Sequence, residues 1–368
     1  MTRMRNKGLI LQTSCLAQLA LVLALLPGCR RGGADGFVTQ SPDGAICLAV
    51  GATADLEKPV NDFKLEDYFE PFGEILPSDD PRTFMRSMNF SYADEESVLA
   101  YSADRVVRLS LKDGSFICEY GRKGRGPGEY VQALLCFVQD GEVYVSDTMS
   151  QVHVYALEDG RLLREIPLFE KTSQFSTYAP LDKDHGLICY SSLAGKDHLF
   201  DVVDASRQVT RAGTLSMEKP SSGGIRLGVV LRMDGSMCAP LVDSDMVLYK
   251  ITAEKDTPWV RLDRGMYPTP SSNSNHWLIA DSFMAFGPFF YTEIRRNDED
   301  SSMALYNLKR RSLVLYKTRS KDTYREYGLP YSHDGQTQYL VPTFADRDLL
   351  ICQDNDFTGN YRCFRLRK

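Results

Sequence analysis

Six times between residues 98 and 368, an apolar segment runs into a polar turn and returns as a second segment of alternating polarity. The copies are VLAYSADRVVRLSLKDG (98–114), VYVSDTMSQVHVYALEDG (143–160), LICYSSLAGKDHLFDVVDAS (187–206), MCAPLVDSDMVLYKITAE (237–254), FFYTEIRRNDEDSSMALYNLKR (289–310) and LLICQDNDFTGNYRCFRLRK (349–368). Aligned on their last apolar position they give Leu111, Leu157, Val203, Ile251, Leu308 and Leu366, at intervals of 46, 46, 48, 57 and 58 residues. Two residues earlier stands an aromatic at Tyr155, Tyr249, Tyr306 and Phe364. Self-similarity at such a period constrains the fold more than any local motif, because each copy must be one supersecondary unit.

The unit is a sheet. Alternation at a period of two marks half-buried strands, and Asp-Gly pairs at Asp113, Asp140, Asp159 and Asp234 mark tight turns between them. Long helical periodicity is nearly absent. A small twisted sheet cannot bury both faces alone, so neighbouring copies must cover it. Period and strand content together predict an all-β chain, a six-bladed β-propeller of four-stranded blades spanning residues 45–368. The last copy ends after its third strand, and an open ring would leave an unpaired edge. The expectation is therefore an N-terminal strand that closes the ring, with AICLAV (45–50) assigned to the vacant place on the last blade.

The first 28 residues do not belong to this pattern. Arg3, Arg5 and Lys7 precede an apolar run from Leu16 to Leu26, which is short for a bilayer span. A basic start and a short apolar core read as an export leader. It ends LLPGC (25–29), which resembles the lipobox of bacterial lipoproteins. That resemblance implies cleavage before Cys29, lipid on its thiol and amino group, a flexible linker over residues 29–44, and membrane attachment without a transmembrane helix. The alternative is an ordinary leader with a chance cysteine. Without the three cations of the leader, the net charge of −6 becomes −9. So acidic a body argues against nucleic acid as a partner.

Between the first and second copies lies GRKGRGPGEY (121–130). Its glycines and cations suggest either a cradle for an anion, held by Arg122, Lys123 and Arg125, or a sharp bend between strands. A phosphate loop requires Gly-Lys followed by Ser or Thr at a helix start, and Pro127 with a following strand does not fit. In GPGE (126–129), proline then glycine is the signature of a type II turn, so the bend is the favoured reading. This loop, with DGEVYVSD (140–147) and VHVYALEDG (152–160), resembles an NHL- or TolB-like propeller repeat. With FKLEDYFEPFGEIL (63–76), it is similar to the six-bladed propeller lipoproteins of Gram-negative, gut-type bacteria. The resemblance implies the fold, an outer-membrane address with the leaflet open, and service in an envelope complex handling imported nutrients. It supplies no catalytic residues.

Motifs for chemistry are sparse. The histidines at 153, 185, 198, 276 and 333 show no metal-ligand spacing, so no metal or cofactor is expected. DNDFTG (354–359) opens like a calcium loop, but Arg365 stands where the closing glutamate belongs, so it reads as a turn, as does NDED (297–300). No GxSxG elbow appears. Beyond Cys15 and Cys29, seven cysteines remain, most of them within apolar strands where they read as core. Cys352 and Cys363 lie symmetrically about the last hairpin, which suggests a cross-strand disulfide in an oxidising compartment.

Two functions fit. The first is a monomeric, non-enzymatic binding or scaffolding propeller with an envelope protein or glycan as partner. The second is a lyase or hydrolase acting on a sugar or lactone at the channel mouth. The inner-strand segments FMRSMNF (84–90), LGVVLRMD (227–234) and DSFMAFGPF (281–289) would line that mouth. Their main charges, Arg86 and Arg232, suit an acidic ligand better than proton abstraction.

Overall fold

The computed structural model describes residues 36–368 apart from 77–79, 84, 86–87, 169–175, 191–196, 216–230, 242–245, 268–277, 297–300, 320–325 and 356–358. Six sheets follow one another along the chain. Their innermost strands are Asn89–Ala93, Ala133–Gln139, Ser176–Pro180, Leu231–Met233, Leu278–Phe286 and Gln336–Asp346 for blades 1 to 6. Each strand pairs antiparallel with the next, moving outward. The sixth blade carries an extra hairpin, in which Leu329–His333 pairs with the first half of its long inner strand. Among the described residues no helix is long and apolar enough to cross a membrane.

Strand alternation builds the core. In blade 2, Val143 and Val145 point towards blade 1, while Tyr144 points towards blade 3. Buried apolar residues accordingly gather into six clusters, one at each contact between neighbouring blades. The turn between the first two strands of blade 2 shows why Asp-Gly is used. Asp140 and Gly141 both have positive φ, 50° and 77°, the geometry that matches the twist of a two-residue hairpin. Asp113 and Asp159 differ from that expectation, because only the following glycines adopt positive φ and the turns are wider.

The N-terminal region runs as a belt along the outer rim. Strands β1 (Val38–Gln40) and β2 (Ile46–Leu48) form a hairpin, and β2 lies parallel to the outer strand of blade 4, Asp256–Leu262. Helix α1 (Val50–Ala54) follows, and the Thr53 hydroxyl meets the buried Tyr306 hydroxyl at 2.8 Å. Strand β3 (Val60–Asn61) then pairs with the outer strand of blade 5, Ser312–Thr318. Strand β4 (Phe69–Ile75) pairs antiparallel with Tyr361–Leu366 and completes blade 6.

The ring is therefore closed by an N-terminal strand, but AICLAV is not that strand. Its Ile46–Leu48 stretch belongs to blade 4, and FEPFGEI closes the ring. The reason is chain geometry. A closing strand must be followed by a crossing from the rim to the first inner strand. Ile75 to Asn89 repeats the spacing from Glu119 to Ala133, the crossing between blades 1 and 2.

The proposed disulfide is also corrected. Cys363 pairs with Ile351, and Cys352 with Arg362, one step out of the register that would set the two cysteines opposite each other. Successive side chains point to opposite faces of a sheet. Cys352 thus packs in the core between blades 5 and 6, Cys363 in the core between blades 6 and 1, and both are free thiols. Burial pushes the Cys363 thiol up to about 12 and the Cys352 thiol well above its ordinary value, so neither is a nucleophile at neutral pH.

Candidate functional site

The core between blades 2 and 3 is the thinnest of the six among the described residues. A cleft of about 430 Å³ opens beside it. Its walls come from the second and outer strands of blade 2, Glu142–Asp147 and Leu162–Pro167. The opposite wall is the inner strand of blade 3, together with two of that blade's turns.

Inside, the rings of Tyr144 and Tyr178 stack with centroids 5.7 Å apart. Ser146 fixes them across the blade boundary, because its hydroxyl accepts the Tyr178 backbone N–H at 2.9 Å. The Tyr178 ring lies over Gly186, where a Cβ would meet the phenol end of the ring, so a side chain there would displace Tyr178. Arg164 donates two parallel hydrogen bonds of 2.7 Å to Glu142 and places its guanidinium over the Tyr144 ring at 5.8 Å. The Tyr144 hydroxyl donates to the same carboxylate at 2.6 Å. The arginine holds the Glu142 carboxyl below its usual range, and burial with the adjacent carboxylate raises the Tyr144 phenol. Glu142 thus stays ionised, and Tyr144 stays protonated as a donor.

The rim mixes signs. Asp182 accepts backbone N–H groups from Asp184 and His185 at 2.8 Å each and pairs with the His185 ring at 3.0 Å. Burial opposes its ionisation, but these donors outweigh it and keep the carboxyl low. Lys183, Asp204 and Arg207 complete the opening. Aromatic faces with fixed donors and acceptors of both charges suit a polar ligand that also has an apolar face.

The glycine-rich loop is a bend whose anion is its own. Glu129 N–H donates to the Gly126 carbonyl at 3.0 Å and Gly128 has a φ of 68°, as a type II turn requires. The Glu129 carboxylate accepts the backbone N–H groups of Arg125 at 3.0 Å and Gly126 at 2.8 Å, and the Arg122 Nε at 2.6 Å. Those donors, Gly126 first, hold its pKa down. Lys123 pairs with Asp104 at 2.5 Å, and Arg125 has an exposed side chain. An external anion would have to displace Glu129.

Arg232 sits on the inner strand of blade 4 and donates to the Gln139 side chain of blade 2 at 3.0 Å. Burial lowers its pKa, while Asp346 and Asp140 nearby counter that effect. Arg86 and Cys29 lie outside the described residues, as do His276, the NDED turn and the centre of DNDFTG. The other histidines each meet a carboxylate. His153 lies between Glu165 and Asp147 at 2% exposure, His198 between Asp197 and Asp201, and His185 and His333 beside Asp182 and Asp334. Among the described residues no group of three or more His, Cys, Asp or Glu side chains is placed to hold a metal. The cleft itself had little sequence signal, because tyrosines in alternating strands read as core and Glu142 meets Arg164 across an intervening strand.

A family model described as 6-bladed beta-propeller matches residues 106–234. A Bacteroides fragilis protein described as a "putative exported protein", known from its crystal structure, superposes with a TM-score of 0.61 at 15% identity, covering 84% of this chain and 98% of that one. BamB from Moraxella catarrhalis gives 0.37 at 12% identity, over 75% and 84% of the two chains. The Cps50 (Swd1) propeller domain of Myceliophteria thermophila gives 0.44 at 11% identity, over 76% and 83%. No curated protein matches the chain. At 15% identity the likeness to the Bacteroides fragilis protein is one of fold.

Proposed function

We propose that this chain is a non-enzymatic binding lipoprotein of the outer membrane, held by lipid on Cys29, whose glycan ligand enters the cleft between blades 2 and 3. The observation that carries this reading is the Tyr144–Tyr178 stack with Arg164 clamped to Glu142 beside it. Sugar rings present apolar C–H faces to aromatic rings and hydroxyls to charged partners, and this cleft offers both. The Bacteroides fragilis protein of that description, which shares the fold, supports an address beyond the cytoplasm. At the channel mouth, by contrast, the Arg232 guanidinium binds Gln139, and the Asp346 carboxylate accepts the Gly235 N–H at 3.1 Å. These groups pair with one another, which favours binding over a lyase or hydrolase site there.

Calorimetric titration with a panel of soluble oligosaccharides tests the cleft. The reading expects saturable binding by at least one of them, weakened about tenfold or more, or about 1.4 kcal/mol, in Tyr178→Ala and in Arg164→Ala. Binding that both variants retain, or no binding across the panel, would count against it. For the anchor, labelled palmitate should enter the wild-type chain in cells and be absent from Cys29→Ser.

A further inference from the structure

The six outer strands fall into two groups. Those of blades 4, 5 and 6 are each covered by a strand of the N-terminal belt. Those of blades 1, 2 and 3, Phe116–Glu119, Leu162–Pro167 and Val209–Ala212, end their sheets with no further strand among the described residues. A strand at the end of a sheet presents backbone N–H and C=O groups that pair readily with another chain.

Each of these three edges exposes an apolar side chain. Ile117, Leu163 and Val209 are 43%, 37% and 56% exposed, and they are half of the large hydrophobic residues exposed among the described ones. Val209 stands one residue before the bulged residue of its strand, Thr210, while Ile117 and Leu163 share one ladder position, the bulged residue itself. In blade 5 that position is Val314, which is only 7% exposed. There the belt covers it. The Asp62 N–H donates to the Val314 carbonyl at 2.9 Å, and Phe63 and Leu65 join the same cluster. In blade 4 it is Trp259, which packs against the core between blades 4 and 5 beside Val260, the first residue that β2 pairs, while Thr257, two residues earlier, is exposed. The bulged residue is thus apolar and packed beneath the belt in blades 4 and 5, and apolar and exposed in blades 1 and 2, whose outer strands pair with no further strand among the described residues.

Charges are the usual guard of an open edge. Here they are paired within the chain. Glu119 binds Arg105, Arg164 binds Glu142, Glu165 binds the Gly128 N–H and His153, and Arg211 binds the buried Asp256. Each charged side chain of the three strands has a partner, with Arg164 and Glu165 still exposed, and two cations from neighbouring segments lie against these edges, Arg82 over the Phe116 ring and Arg207 on the Pro167 carbonyl.

We propose that the outer edges of blades 1 to 3 are docking sites for an extended segment of a partner protein, which adds as a strand and covers Ile117, Leu163 or Val209 with an apolar side chain. The belt is the template for this occupant, since it does the same on blade 5. Because β4 ends on blade 6, the bare arc begins at the next blade around the ring. Strand addition of this kind draws affinity from main-chain hydrogen bonds and selectivity from alternate side chains. The edges of blades 1 and 3 lie apart from the cleft, while Leu162–Pro167 of blade 2 also forms one of its walls.

A labelled synthetic peptide of residues 58–66, KPVNDFKLE, is the probe, used with the full chain and read by fluorescence anisotropy. Saturable binding is expected, about tenfold or more weaker in Ile117→Lys/Leu163→Lys/Val209→Lys and unchanged in Thr257→Lys. A peptide with Phe63→Lys should bind no better than the triple variant does. If the triple variant loses its wild-type circular dichroism, the single variant Leu163→Lys takes its place. Absence of binding, or binding insensitive to the edge substitutions, would overturn the proposal. So would self-association in sedimentation velocity that the triple variant abolishes, because the occupant would then be a second copy.

Discussion

Blades 4 to 6 and blades 1 to 3 share one repeat but solve the problem of the outer edge differently. In the first group an extended chain of about forty residues is laid over the rim, and its apolar side chains enlarge the cores between blades 4 and 5 and between 5 and 6. In the second group no further strand pairs with the rim among the described residues, the cores are thinner, and the cleft lies between two of these blades. The difference teaches that a closed ring does not make all blades equivalent. Closure itself takes one strand, and the rest of the belt loads stability onto one half. The other half keeps its edges and its cleft accessible.

The comparison can be broken most sharply at its seam. Phe69 on β4 is fully buried, so Phe69→Ala should cost about 3–5 kcal/mol in urea unfolding. An outer-strand residue of the bare half, Ile117→Ala, should stay within about 0.5 kcal/mol of wild type. Equal losses would mean that the two halves carry equal load.

Next in size is the clamp between blades 3 and 4. Arg211 donates to both oxygens of Asp256 at 2.8 and 3.0 Å, and Thr214 adds two further donors. Burial opposes ionisation of Asp256, yet these partners outweigh it and its pKa is lowered. Its stabilisation is therefore present above the unfolded-state value, about 3.9, and lost as pH falls through the folded value. Arg211→Ala should cost about 3 kcal/mol at pH 7 and flatten the stability profile below pH about 4. A parallel shift at all pH values would assign the loss to packing instead.

Two smaller effects refine the picture. Without reductant, thiol reagents should leave Cys352 and Cys363 untouched in the native chain and label both after denaturation; failure to label denatured protein would restore the disulfide. Glu129→Gln should leave the melting temperature nearly unchanged but speed hydrogen exchange at the Arg125 and Gly126 amides, whose bonds to the carboxylate it weakens.

Much of the architecture was legible because it rests on period and alternation. Aligned positions such as Leu111, Leu157 and Leu308 mark the same place in their blades, whereas Val203 falls two residues short of it, and the turn in GPGE follows from proline and glycine alone. The closing strand was not legible from pattern, since AICLAV and FEPFGEI can both form strands; the length of the crossing to the first inner strand decides between them. The disulfide pairing failed by one residue of register, which reverses the face of a side chain. The cleft was hidden because it joins strands from two blades, and spacing along the chain carries no record of which blade walls separate. Ile117 and Leu163 share their place in the repeat with Val314, but its meaning appears only once Val314 is seen beneath the belt.

Hydrogen–deuterium exchange over the six outer strands tests the asymmetry most directly. The account predicts that outward-facing amides of Asp256–Leu262, Ser312–Thr318 and Tyr361–Leu366, where the belt pairs with them, exchange about a hundredfold or more slowly than those of Phe116–Glu119, Leu162–Pro167 and Val209–Ala212. Equal protection around the whole rim would contradict it.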